Sequence, residues 1–319
     1  MFYPIQLLAD WLTYTVFRIA PKTLLGGAVN FFIFDTIKIF ILLFVIIFAV
    51  SIIRSYLPPE KIRAILSRKN KYVGNVLASL LGIITPFCSC SAFPLFLGFV
   101  QAGVPLGTTF SFLIASPMIN EVALVLLLGL FGWKIALIYI ISGLIIAIVS
   151  GIVIGHLKVE NLVESFVYEN SINGNMDLPS MTRKERIAYA LDYTKDILKK
   201  VWPYILIGIG LGAWIHGYLP ADFLAQYAGS GKWYAVPLAV LIGIPLYSNA
   251  AGVIPLVSAL TEKGVSMGTT LAFMMSVTAL SLPEFMILKK VMKLKLIFIF
   301  AGIVAVGIIF TGYLFNFIL

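Results

Sequence analysis

Charged residues are scarce in this chain: only 12% of its 319 residues are Asp, Glu, Lys or Arg, where a soluble domain carries about 25%. That shortage excludes an ordinary water-soluble globule. Histidine and cysteine are nearly missing as well, with two of each, so there is neither a His-Glu-x-x-His zinc motif nor a disulfide framework. A Walker loop with its lysine and a Gly-x-Ser-x-Gly elbow are also absent. No enzyme, no resident cofactor or metal and no ATP hydrolysis within this chain is therefore expected. The two cysteines, Cys88 and Cys90, stand one residue apart; joined, they would close a strained and very small ring, so free thiols are expected. A cleaved secretory leader is not expected, because Asp10 interrupts the first apolar run and no basic start precedes it.

What the chain has in abundance is apolar length. It is 61% hydrophobic, and runs such as Ile39 to Ile53 and Ile135 to Ile154 match a hydrocarbon core of about 30 Å. The fold class read from this is an all-α integral membrane protein of six to eight spans, multi-pass in a bacterial or archaeal cytoplasmic membrane, with the lipid bilayer as its first partner. The formal charge of +9 does not point to nucleic acid, since the basic residues sit in short loops beside apolar spans, where they set topology.

Along the chain, residues 1–27 read as an interfacial helix, with Leu7, Leu8, Trp11, Leu12 and Phe17 opposed to Asp10 and Arg18. Residues 28–155 form a first transmembrane unit, beginning with a span from Phe31 to Ile53. Residues 156–200 read as a polar cytoplasmic linker, and residues 201–319 as a second unit. The units repeat. Tyr56-Leu57-Pro58 matches Tyr218-Leu219-Pro220, Lys71-Tyr72 matches Lys232-Trp233, and Gly103-Val104-Pro105-Leu106-Gly107-Thr108-Thr109 matches Gly264-Val265-Ser266-Met267-Gly268-Thr269-Thr270, at offsets of 161 or 162 residues. An internal duplication is expected, and two-fold repeats of this kind mark transporters.

Within the first unit, Thr85-Pro86-Phe87-Cys88-Ser89-Cys90-Ser91-Ala92-Phe93-Pro94 is a helix-breaking stretch in apolar surroundings. Pro86 and Pro94 remove backbone donors, which lipid tolerates only where protein or a cavity shields the freed groups. In the second unit Pro245-Leu246-Tyr247-Ser248-Asn249 falls at the same place without cysteine, followed by Pro255. A further pair of breaks is Ser116-Pro117-Met118-Ile119-Asn120-Glu121 and Ala279-Leu280-Ser281-Leu282-Pro283-Glu284, each ending on a glutamate. If residues 72–102 and 233–263 are re-entrant hairpins, each unit has three spans, the units are inverted, and 17 of 23 Lys and Arg lie inside; if they span, the count is 12. The positive-inside rule favours the inverted arrangement.

The candidate chemistry sits at these breaks. Cys88 and Cys90 can approach one soft ion or thiophilic substrate together, while the plain alternative is a pair of small buried hydrophobes. Ser89, Ser91, Asn120, Ser248 and Asn249 either contact that substrate or satisfy broken backbone. Glu121 and Glu284, ionisable groups inside apolar segments, are candidates for carrying a coupling proton; as acids at helix starts they also have a purely structural reading. His156 and His216 at span ends, and the pairs Asp35 with Lys38 and Asp196 with Lys199 before each first span, read as structural.

The stretch Thr85 to Ser91, together with Ala115-Ser116-Pro117-Met118-Ile119-Asn120-Glu121 downstream, resembles the signature of the predicted permeases grouped with the ArsP-type organoarsenical efflux permeases. The resemblance covers the chain from the first span to the end. It implies an inner-membrane permease whose matching thiols, Cys88 and Cys90, contact trivalent organoarsenicals such as methylarsenite and export them. With no third cysteine in the chain, a substrate already carrying a carbon substituent suits it better than free arsenite. A permease for another sulfur compound or soft metal, a homo-oligomer, and a membrane thiol-redox or assembly protein remain alternatives.

Overall fold

The computed structural model describes residues 3–21, 23–56, 71–84, 89–119, 121–165, 167, 182–218, 232–246, 253, 257, 260, 261 and 264–318. These are almost entirely helical: α1 (Tyr3–Asp10), continued by a π-helical turn (Trp11–Val16), α2 (Leu24–Tyr56), α3 (Lys71–Ile84), α4 (Ser89–Gln101), α5 (Leu106–Met118), α6 (Glu121–His156, kinked at Gly132), α7 (Arg183–Tyr218), α8 (Ala235–Gly243), α9 (Met267–Ala279), α10 (Leu282–Leu288) and α11 (Leu294–Ile318). Helices satisfy their own backbone groups, the condition for apolar chain to sit in lipid.

Among the described residues four stretches are long and apolar enough to cross a bilayer: Leu24–Ala49, Leu127–His156, Met267–Leu288 and Leu294–Ile318. The shorter apolar helices Tyr72–Ile84, Ala92–Gln101 and Leu106–Met118 cover half to two-thirds of a core of about 30 Å at about 1.5 Å per residue. This is the all-α membrane protein that the composition implies. The segment Met267–Leu288 is 82% buried within the protein and forms the centre of the molecule.

Chain direction follows from contacts. Asn75 on α3 donates to Ser111 of α5 at 3.0 Å, and an ideal Cβ on Gly82 would lie 3.0 Å from Phe112 O and Ala115 Cβ, so α3 runs the same way as α5. The next helix, α4, ends at the tight turn of Gly103 (φ 75°) that leads straight into α5; the chain between Ile84 and Gln101 thus doubles back to the level at which α5 begins. That turn requires a left-handed residue, and Gly264 (φ 81°) serves the same turn before α9.

The second helix, α2, packs along α7 in the most extensive helix pair among the described residues. Phe32, near the start of α2, meets Gly210, near the end of α7, with 3.7 Å to an ideal Cβ, so the two are antiparallel. Similarly, the residues after α6 bind the residues before α11: Glu164 N–H donates to Val291 O and Lys293 N–H to Leu162 O, both at 2.9 Å, around an isolated bridge between Val163 and Met292. The end of α6 and the start of α11 therefore share one side of the molecule.

Residues 183–200 of the expected polar linker are helical, as the first half of α7; hydropathy marks contact with lipid, not helicity, and Ala190 and Thr194 are buried within the protein. Two readings need correction. Asp35 and Lys38 lie inside α2 rather than before it, as a 2.9 Å ion pair with Asp35 only 4% exposed and Lys38 over the Phe34 ring; mutual neutralisation makes such depth tolerable. Pro94 and Pro117 sit within α4 and α5 instead of breaking them; Pro117 falls in the last turn of α5, whereas Pro94 lies in the interior of α4 and costs that helix one i→i−4 bond.

Candidate functional site: the junction of the broken helices

The contacts that hold each unit together recur 161 residues later. Gly82 lies against Phe112 and Ala115, and Gly243 against Phe273 and Ser276. Gly107 lies against Gly151 and Gly155, and Gly268 against Gly312 and Asn316. Thr109 Oγ1 donates to Pro105 O at 3.2 Å, and Thr270 Oγ1 to Ser266 O at 3.1 Å. Ile119 N–H donates to Ala115 O, and Leu280 N–H to Ser276 O, each at 2.9 Å. Ile146 and Gly307, themselves 161 apart, touch each other, with 3.2 Å to an ideal Cβ; a residue touching its own counterpart lies on an axis relating the two sets.

The helix ends converge at the centre. α5 stops at Met118, with Ile119 and Asn120 following before α6 opens on Glu121. α9 stops at Ala279, and α10 opens at Leu282 with Pro283 in its first two positions, a start for which proline is suited. Leu282 N–H donates to Ile244 O at 3.1 Å, which joins this break to the end of α8 just before Pro245. Glu284 is 2% exposed in the first turn of α10, where the helix N-terminus favours an acid. Ser281, the residue just before that helix, makes no capping bond; its Oγ is buried without a hydrogen-bond partner among the described residues.

Tyr139, fully buried on α6, donates its hydroxyl to Met118 O at 2.8 Å. Thr278 Oγ1, at the end of α9, donates within its own helix to Met274 O at 3.0 Å and Met275 O at 3.1 Å, so the Tyr139 hydroxyl ties α6 to the end of α5. One turn further along α6, an ideal Cβ on Gly143 would lie 2.8 Å from Ile119; the missing side chain lets α6 close on the break. Composition and motif spacing gave Tyr139, Thr278 and Ser281 no functional part. The signal that finds them is the offset: Ser281 stands 161 after Asn120, and Phe300 stands 161 after Tyr139. The same offset sets Leu282, not Glu284, opposite Glu121, so the two glutamates are not strict counterparts.

Of the remaining expected site residues, Ser89, Cys90 and Ser91 open α4, while Pro86, Cys88, Asn120, Ser248, Asn249 and Pro255 lie outside the described residues. Among the described residues no three His, Cys, Asp or Glu side chains gather as a metal site would require.

Comparison with known proteins decides the class. The ArsP_1 family model, described as a predicted permease, matches residues 24–317. The chain belongs to this permease family. It is a multi-pass membrane permease of the cell membrane. It is similar to a UPF0718 protein of Methanocaldococcus jannaschii (22% identity, covering 79% of this chain and 84% of that one). It is also similar to a putative two-component membrane permease complex subunit of Streptococcus mutans (28%, 85% and 89%) and to the UPF0718 protein YraQ of Escherichia coli (24%, 82% and 73%). No solved structure matches.

Proposed function

We propose that this permease is a secondary transporter of two inverted repeats that exports small thiophilic molecules, trivalent organoarsenicals foremost, by alternating access. The observation that carries the reading is the recurrence of contacts at 161 residues in helices that run in opposite directions, α2 against α7 and α6 against α11. An inverted pair of repeats with breaks at its centre is the architecture in which a site is opened to one side and then the other. The doubling back of α3 and α4 supports a re-entrant hairpin. The union of residues 162–164 with 291–293 supports placing the start of the linker and the basic Lys289 to Lys295 on the same, cytoplasmic, side.

On this reading residues 28–155 and 201–319 are the two repeats, with α7 reaching back through the linker. Cys88 and Cys90 contact the substrate, Ser89, Ser91, Asn120, Ser248 and Asn249 offer it hydrogen bonds, and Glu121 and Glu284 organise helix ends and take a coupling proton. The Streptococcus mutans relative is named as a subunit of a complex, which supports assembly with another chain or a second copy.

The test is uptake of methylarsenite into everted membrane vesicles. Wild-type protein is expected to accumulate it above empty vesicles, and Cys88→Ser with Cys90→Ser to fall to the background. Undiminished accumulation by the double variant would remove the thiols from the mechanism.

A further inference from the structure

The turn that joins α10 to α11 carries Lys289, Lys290 and Lys293, and Lys295 follows in the first turn of α11. All four are exposed. The turn is fixed in place by the facing segment: Lys293 N–H donates to Leu162 O and Glu164 N–H to Val291 O, both at 2.9 Å, and Lys293 Nζ donates to Asn161 O at 3.2 Å. That segment adds the exposed Lys158 against Glu160 and Glu164, so five lysines meet two glutamates at this end of the molecule. Lys158, Lys289, Lys293 and Lys295 form no ion pair with a described residue. Beside the lysines stands hydrocarbon: Leu157 and Leu294 are half exposed, and Phe298, one turn further along α11, is 73% exposed. The apolar length Leu294–Ile318 begins at this turn, which sets the lysines at the level of lipid headgroups and Phe298 where acyl chains begin.

The duplication supplies a comparison. Residues 128–134, which stand 161 earlier, read Leu-Gly-Leu-Phe-Gly-Trp-Lys, with Gly132 in the place of Lys293 and Lys134 in the place of Lys295. The same join in the first repeat thus holds one lysine, beside the exposed Trp133. The scaffold makes this turn without a basic cluster, so the lysines answer to something outside it.

We propose that the α10–α11 turn binds the headgroup of an anionic phospholipid, with its phosphate among Lys289, Lys293 and Lys295 and its acyl chains on Leu294 and Phe298. A fixed excess of lysine at a membrane surface attracts anionic headgroups. The adjoining apolar face selects a lipid over free phosphate, which has no use for it. α10 is seven residues long and ends at this turn, having begun beside Ser281 at the central break; the headgroup therefore holds the outer end of a helix whose inner end lies at that break.

The test is titration of the full-length protein in neutral detergent with phosphatidylglycerol and with phosphatidylcholine, bound lipid being read by native mass spectrometry. Phosphatidylglycerol is expected to bind more tightly. Lys289→Gln, Lys293→Gln and Lys295→Gln should each weaken it about fivefold, the effect of one lysine near a charged surface, and Lys293→Arg should retain it. Affinity for phosphatidylcholine should stay at the wild-type value in all of them, and Lys134→Gln at the counterpart join should change neither lipid. Equal affinity for the two lipids, an equal loss in Lys134→Gln, a parallel loss for phosphatidylcholine, or displacement by inorganic phosphate at the concentration of the lipid overturns the site. Neither cargo nor sidedness enters the measurement, so the site stands or falls apart from the export of methylarsenite.

Discussion

At the first turn of α7, Thr182 N–H donates to Glu185 Oε2 at 2.6 Å and Thr182 Oγ1 to the same oxygen at 2.8 Å, while Glu185 N–H faces Thr182 Oγ1 at 3.4 Å. This reciprocal arrangement satisfies donors that a helix start leaves open. The bonds from the Thr182 backbone and side chain hold the Glu185 carboxyl below its ordinary value. A lowered folded-state value means that the contribution is present above the ordinary carboxylate range and is lost as pH falls through the depressed value. Protection of the first-turn amides of α7, taken relative to the intrinsic exchange rate at each pH, should therefore fall at acid pH, and Thr182→Ala should show the lowered protection already at neutral pH; a first turn equally protected in both would refute the cap. The same Thr-x-x-Glu spacing lay in the sequence and passed as linker, because the polar turns around it masked a helix start. Ser281-x-x-Glu284 has the same spacing at the start of α10, yet the buried Ser281 hydroxyl makes no capping bond there.

Helix crossings depend on glycine where backbones meet. An ideal Cβ on Gly107 would overlap the Gly151 carbonyl oxygen, and one on Gly268 the Gly312 carbonyl oxygen. Backbone cannot swing aside as a long side chain does, so Gly107→Ala and Gly268→Ala should each lower stability by about 1–3 kcal/mol. Gly302, with open space at its Cβ position, should accept alanine without loss. Thermal unfolding in detergent separates the cases; equal melting of Gly107→Ala and Gly302→Ala would refute the close crossing. The Gly-Val-x-x-Gly-Thr-Thr turn was legible because it meets both demands at once, a left-handed first glycine and a second with no side chain. The course of α3 and α4 was less legible: prolines mark where a helix is weakened, and Pro94, in the interior of α4, shows that a weakened helix need not break.

Over the whole molecule, opposite direction of counterpart helices means opposite sides for counterpart loops. On a background in which Cys88 and Cys90 are serine, single cysteines at Tyr72 and Trp233, both exposed, should react with an impermeant maleimide from opposite faces of the membrane. A cysteine at the exposed Leu157 should share a face with Tyr72. Labelling of Tyr72 and Trp233 positions from one face would refute inversion. The duplication itself could be read from three matched segments, but inversion rested on charge counting, because pairing of α2 with α7 depends on tertiary contacts such as Phe32 with Gly210 that no local pattern encodes.

The α2–α7 pairing also bears on how the protein is made. α2 is among the first helices to leave the ribosome, yet its buried stripe of Asp35, Ile39, Leu43, Ile47 and Ser51 is matched chiefly by α7, which is synthesised more than 120 residues later. Until then a helix carrying a charged pair waits in the bilayer with its inner face unmet. The first repeat is thus finished by the second, and a chain truncated within the linker would leave the insertion machinery holding an incomplete product that cellular proteases can distinguish from the finished one.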